Sequence, residues 1–299
     1  MTGPGALLVV GDVVTDVVAR HRTPLAPTTD TAAEIRTLPG GAGANVACWA
    51  ARSGCADVRI LARVGADALA WHAGELRRAG VRPLLVRDPQ APTAAVIALV
   101  GPDAERTFLT DSGAALRLAP HDWAPELLAG AARVHLSGYL FFAAASRETA
   151  GRVLRDARAA GVPVSVDPAS AGFLKELGPE SFLAAVAGAE CLLPNADEAR
   201  LLTGRTDPLH AAADLSRRFP LVAVTLGAEG AVVAADGRVT ARVPAPPVRP
   251  VDSTGAGDAF TGAFLAARLA GADPGHAAAA GCRAGAVAVT GVGGRPTTA

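Results

Sequence analysis

From residue 6 onward, short apolar runs rich in β-branched residues alternate with longer amphipathic stretches rich in Ala, Leu and Arg. That rhythm is restrictive. Parallel strands cannot be joined by a tight turn, so each crossover carries a helix back over the sheet, and repeated units build a mostly parallel sheet between helices. The expected strands are 6–11, 58–62, 133–137, 162–167, 190–193, 221–226 and 231–234. The expected helices are 42–53, 67–79, 146–160, 181–188, 196–203, 208–218, 256–270 and 275–290. Asp67 and Ser146 read as N-caps, and Gly80 and Gly161 fall just past helix ends, where a left-handed residue is favoured. The fold class is therefore α/β, a Rossmann-like three-layer sandwich.

Residues 13–38 and 81–110 break the alternation with Thr, Val, Pro and closely spaced turn signals. Each lies between a core strand and a core helix, so both should leave one edge together as a small β-layer that covers a site as a lid. The 299 residues, half of them apolar, are read as one domain with these two lid segments inserted.

Lys plus Arg and Asp plus Glu number 28 each, so no long-range field draws nucleic acid or an anionic membrane. The longest apolar runs fall short of the ~20 residues a membrane span needs. Leu7 to Val10 breaks at once into Gly11-Asp12, as a buried strand does and a signal peptide does not. Cys48, Cys55, Cys191 and Cys282 are scattered without a CxxC pair, which argues against disulfides and zinc. The cytoplasm is the expected compartment. Lys175 is the only lysine, and no Gly-x-x-x-x-Gly-Lys-Ser/Thr loop is present. Any phosphate must be held by other means.

Asp252-Ser-Thr-Gly-Ala-Gly-Asp258 precedes an apolar helix, so the amides of Gly255, Ala256 and Gly257 should sit at its positive end as an anion site. An Asp in a first turn also stabilises a helix, but two glycines exceed what capping requires. Phosphoryl transfer demands positioning, charge neutralisation and a carboxylate to take a hydroxyl proton, and Asp258 beside those amides meets two of the three. Gly40-Gly41-Ala-Gly43-Ala-Asn45 opens the helix at 42–53, which lets backbone approach a ligand while Asn45 offers donor and acceptor. A plain glycine turn is the alternative, and a dinucleotide fingerprint fails because Val46 replaces its last glycine. Asp12 and Asp16 stand at the carboxyl end of the first strand, where carboxylates suit a polyol; the bland reading is a turn residue and a solvated one. Asn195-Ala-Asp-Glu198 has capping-box spacing, and also suits holding Mg²⁺ and its waters near phosphates. Thr225-Leu-Gly227-Ala-Glu-Gly230 is either a hairpin turn or room for a nucleotide.

In this order the segments resemble the ribokinase, or PfkB, family of carbohydrate kinases over about residues 7–294. The resemblance implies a ribokinase-like fold, ATP and Mg²⁺, and a homodimer joined through the lids. It implies Asp258 as catalytic base with Gly255, Ala256 and Gly257 as anion hole, and Asp12, Asp16, Gly41 and Asn45 on substrate hydroxyls. Asn195, Thr225, Gly227 and Gly230 would serve the nucleotide, and Glu198 would hold Mg²⁺ through water. Asp252, Thr254 and residues near 287–293 resemble a loop that holds a monovalent cation, K⁺ in such kinases.

Two departures bear on substrate. Ala42 stands where ribokinases usually carry lysine, and Asp167-Pro-Ala-Ser-Ala-Gly-Phe173 lacks the arginine of sugar-acid kinases. An acidic sugar is disfavoured, leaving a neutral sugar of the ribose or fructose kind, with a nucleoside (adenosine, inosine or pseudouridine) as alternative. Phe108 is the one aromatic in the lid segments available to a base. A silent sugar-binding homologue is the rival from another class, opposed by the intact Asp258. With one lysine in the chain, amides, helix dipole, arginine and Mg²⁺ are expected to hold the phosphates.

Overall fold

The computed structural model describes residues 5–102 and 106–296, so residues 103–105 of the second expected lid segment lie outside the described residues. In chain order the strands are β1 (Ala6–Val10), β2 (Val14–His21), β3 (Ala33–Gly40), β4 (Val58–Gly65), β5 (Val81–Asp88), β6 (Ala94–Val100) and β7 (Arg106–Asp111). They continue with β8 (Ala131–Ser137), β9 (Val164–Asp167), β10 (Cys191–Leu192), β11 (Leu221–Thr225), β12 (Ala231–Ala235) and β13 (Arg238–Val243). The helices are α1 (Ala42–Arg52), α2 (Leu69–Arg78), α3 (Ala144–Ala159), α4 (Ala171–Leu177), α5 (Pro179–Ala185), α6 (Ala196–Thr203), α7 (Pro208–Leu215), α8 (Ala256–Leu269) and α9 (Pro274–Ala288).

Nine strands form the main sheet in the order β13-β12-β11-β10-β9-β8-β1-β4-β5, parallel from β11 to β5 and antiparallel at the β12 and β13 end. All five residues of β1 are buried, as a strand covered on both faces requires. Successive side chains of a strand point to opposite faces, and the core divides accordingly. Leu8, Val10, Leu136, Val166 and Val222 pack with Val153, Phe182, Leu202 and Leu215 of α3, α5, α6 and α7. Leu7, Val9, Ile60, Cys191 and Ala223 pack with Val46, Phe264 and Ala278 of α1, α8 and α9. Among the described residues no helix is long and apolar enough to cross a membrane.

A second sheet, β3-β2-β6-β7, springs from the carboxyl ends of β1 and β5. Its register separates two faces. Asp16, Val96 and Thr110 are cross-strand partners on one, while Val17, Ile97 and Leu109 are partners on the other.

Several expectations need correction. Residues 81–88 of the second expected lid segment are β5, paired with β4 at the edge of the main sheet. Asp67 does not cap α2; its carboxylate accepts from the Thr93 amide at 2.9 Å and hydroxyl at 2.8 Å, tying down the approach to β6. Ser146 lies buried inside α3, whose N-cap is Ala143. The helix expected at 181–188 is α5, which starts earlier at Pro179, and α4 before it, set off at Gly178 where φ is +89°, was not expected. The last strand, β13, was not expected at all. Gly80 and Gly161 do follow helix ends with φ of +79° and +69°.

Candidate active site

The sheet order reverses at β1, whose neighbours are β4 on one side and β8 on the other. Ligands sit at such switch points, outside the carboxyl ends of the strands. A cleft of about 560 Å³ opens there, closed on one side by the inner face of the small sheet.

Close backbone contact shapes its floor. Gly41 has φ of +97°, and a Cβ on it would stand 2.6 Å from the Asp12 carbonyl oxygen. A Cβ on Gly43 would stand 2.9 Å from the Cα of Gly11. With both glycines bare, the first turn of α1 sits directly on the end of β1. Asp12 is buried and serves that junction, accepting from the Ala42 amide at 2.7 Å, the Gly43 amide at 3.1 Å and the Ser137 hydroxyl at 2.8 Å. It lines the cleft and ties down the first turn of α1 at once.

Helix α8 starts at Gly255, left-handed at φ +74°, where a Cβ would meet the Cα of Gly294 at 2.4 Å. Ala256 donates its amide to Ser253 at 3.3 Å, whereas Gly257 faces open space. Asp258 in the first turn accepts from Asn45 Nδ2 at 2.8 Å. Burial holds Asp258 well above the usual carboxylate range, the Asn45 amide pulls it down, and Asp167, Asp12 and Asp16 push it up again. Asn45 thus reaches the expected base, while its Oδ1 is buried with no partner among the described residues. One turn further on, Thr261 donates to Asp167 at 3.2 Å, since residues three and four apart share a helix face.

Among the described residues six carboxylates line the cleft (Asp12, Asp16, Asp111, Asp167, Glu198 and Asp258), and no arginine or lysine does. The arginines expected around the phosphates are therefore not among the described lining residues. Burial raises Asp16 to about 6 against a lowering pull from Arg295, and raises Asp167 to about 6. Burial, then the nearby Asp167, raises Glu198 to about 8. Asn195 and Glu198 form the capping box: Asn195 Oδ1 accepts from the Glu198 amide and Glu198 Oε2 accepts from the Asn195 amide, both at 2.9 Å. One carboxylate oxygen of Glu198 remains for a ligand, and both residues line the cleft.

Thr225 also lines the cleft, bridged to Asn195. Gly227 and Gly230 are outside the lining; a Cβ on Gly230 would lie 1.9 Å from the Val243 carbonyl oxygen, which explains that glycine by packing. Asp252 is buried, accepts from the Thr254 amide at 2.8 Å and the Gly293 amide at 3.0 Å, and so joins the loop before α8 to the segment after α9. Asp111, Tyr139, Phe173 and Thr261 line the cleft without having been singled out. Only for Asp167 and Phe173 did a sequence signal exist, the segment that departs from the sugar-acid pattern.

The sequence profile of pfkB family carbohydrate kinases matches residues 5–298. The chain belongs to that family. A fructokinase from Klebsiella pneumoniae is 32% identical over 286 residues, covering 92% of this chain and 88% of the relative. Adenosine kinase from Sinorhizobium meliloti has the same fold, with a TM-score of 0.88 at 23% identity over 99% of this chain and 97% of that one. Aminoimidazole riboside kinase from Salmonella enterica, solved with its riboside and an ATP analogue, gives a TM-score of 0.80 at 27% identity over 97% and 95% of the two chains. As a PfkB member the chain is an ATP-dependent phosphotransferase with an alcohol group as acceptor.

Proposed function

We propose that the chain transfers the γ-phosphoryl group of ATP to a hydroxymethyl group of a small neutral sugar, with Asp258 as base. The carrying observation is Asp258 itself, in the first turn of α8 facing Asp12, Asp16 and Asn45 across one cleft. The acceptor oxygen attacks the γ-phosphorus, its proton passes to Asp258 as the O–P bond forms, and ADP leaves. Asp16, Gly41 and Asn45 bind acceptor hydroxyls, and Asp12 orients Gly41 and α1 beneath them. The Gly257 amide and the dipole of α8 receive the transferring phosphoryl group. A coupled ADP-release screen over fructose, ribose and ribonucleosides tests this. Absence of release with every acceptor would favour the silent-homologue reading.

The nucleoside reading has its own support. Phe173 stacks on Phe142 at 5.0 Å and meets Tyr139 edge-on at 5.9 Å, and with Phe108, Val14 and Val96 it gives apolar lining to a cleft that also holds carboxylates. A flat base on a ribose would match such a divided cleft.

Mg²⁺ fits the residues present. Glu198 is a buried carboxylate whose proton affinity the nearby Asp167 raises further, a hard-oxygen site short of positive charge. Among the described residues no cluster of three or more acidic, His or Cys side chains could hold a metal alone, which agrees with an ion held mainly by water and phosphate oxygens through Glu198. When bound, Mg²⁺ supplies the phosphate neutralisation that the cleft's own side chains lack. Asn195 and Thr225, with the Gly227–Gly230 turn beyond them, serve the nucleotide. The junction of Asp252 and Thr254 with residues 289–293 is the place for K⁺.

The small sheet acts as the lid of a single domain, and its outer face, with Ile35, Ile97 and Leu109 exposed, joins a second copy. The free thiols of the four cysteines suit the cytoplasm.

A further inference from the structure

Residues 293–295 pack behind the cleft against the loop before α8, helix α1 and the end of β3. The Gly293 amide donates to Asp252, and Gly294 packs against Gly255 and takes the Trp49 indole N–H at 2.9 Å. Arg295 Nη2 donates to the Gly40 carbonyl at 3.0 Å, where β3 turns into α1. Gly40 is also the seat of Asp16: a Cβ on Gly40 would stand 2.1 Å from Asp16 Oδ2, so carboxylate and guanidinium rest on one residue.

We infer that Arg295 is a positioning residue for the acceptor, the counter-charge that keeps Asp16 on Gly40 ready for a hydroxyl. The inference rests on Asp16 binding the acceptor, as proposed above. Among the described residues, Arg295 is the cation that acts most on Asp16. The charged groups facing it are Arg295, Asp12 and Asp252, and the two carboxylates work against its charge. Arg295 in turn faces Asp16 from β2, Cys48 from α1, and Glu75 and His72 from α2. His72 is fully buried, bonded through Nε2 to the Thr15 hydroxyl at 3.0 Å, and burial with Arg295 holds it down near 4, so it brings no competing charge at neutral pH. Among the described residues Arg295 Nε and Nη1, both buried, have no acceptor, so no closer ion pair there consumes its charge. A guanidinium is never deprotonated near neutrality, which suits it to bias a neighbouring carboxylate over the whole working range.

The sign follows from the geometry. Without Arg295, Asp16 holds its proton to higher pH, a protonated carboxyl is a poorer partner for a hydroxyl, and the loss is recovered when pH rises. Arg295→Met, Arg295→Lys and Asp16→Asn are to be compared with the parent enzyme in acceptor and ATP kinetics from pH 6 to 9.5, with thermal melts on each. Arg295→Met should raise acceptor KM at least about tenfold at pH 7 and move the acidic limb of kcat/KM for acceptor up by about one pH unit. Most of the defect should vanish by pH 9, and ATP KM should stay within about threefold. Arg295→Lys, keeping the charge, should leave the limb in place and serves if the Met variant does not fold. Asp16→Asn should show a pH-independent loss. A defect in Arg295→Met equal at all pH values, or shared equally by ATP, overturns the inference. An unchanged acceptor KM in Asp16→Asn overturns instead the assignment of Asp16 to the acceptor.

Discussion

In the proposed reaction Asp258 accepts a proton, yet burial and three neighbouring carboxylates incline it to hold one already. The Asn45 amide and the positive end of α8 oppose that inclination, and a magnesium-bound nucleotide would add to them. Asp258→Asn keeps the shape and removes the proton acceptor. It should bind ATP and acceptor with near-normal affinity and lose at least about two orders of magnitude in kcat, read by steady-state kinetics with binding calorimetry. Glu198→Gln should leave the capping box able to form while raising the Mg²⁺ concentration for half-maximal rate at least about fivefold, measured by Mg²⁺ titration at saturating ATP. With Asp16 and Asp167 near 6 and Glu198 near 8, all above their ordinary values, these three groups hold more protons in the folded protein than in the unfolded chain between about pH 4 and 8. Buried His72 and His135, held down near 4 and 3, oppose this below about pH 6.5, so the excess is least offset in the upper part of the window. Ligand-free stability therefore falls as pH rises through that upper part. Differential scanning fluorimetry should show Tm decreasing from about pH 6.5 to 8, with the gain from Mg²⁺ and ATP larger at pH 8.

The elements were legible where one periodicity ruled and obscure where two constraints met. Val81-Arg-Pro-Leu-Leu-Val was read as lid because Pro83 argues against a strand within a sheet; β5 is the edge strand, where a missing amide costs no ladder bond. Helix α4 has seven residues and buries one, Leu174, too little for an amphipathic pattern to register. The motifs around Gly41 and Asp258 were legible because glycine where a side chain would collide is a backbone signal. Asp111 and Thr261 were not, since their role depends on which elements fold against each other. The crossing of α1 and α8 is a case in point: a Cβ on Gly262 would lie 2.5 Å from the Val46 carbonyl oxygen and 2.8 Å from the Ala50 amide. Gly262→Ala should part the helices, destabilise the fold by about 1–3 kcal/mol and reduce kcat by disturbing the Asn45–Asp258 contact, as denaturant melts and kinetics would show.

At the scale of the whole molecule, the register of the small sheet sends Asp16, Val96 and Thr110 toward the cleft and leaves Ile35, Ile97 and Leu109 exposed on the other face at 66%, 38% and 54%. Apolar side chains grouped on one exposed face favour association. If the proposed dimer forms through this face, Ile97→Glu should leave the 29.9 kDa chain monomeric where the parent is dimeric, as light scattering after gel filtration would register.

The contacts that complete the active site join Asn45 to Asp258, Trp49 to Gly294 and Gly40 to Arg295, spans of 213, 245 and 255 residues. Contacts so distant along the chain form late, because loop-closure entropy must be met before they give any return. A ribosome can therefore release most of the β-sheet and helices of this enzyme before any catalytic site exists. In refolding from denaturant, helical signal should recover first and turnover last, the final rate being set by docking of residues 293–295.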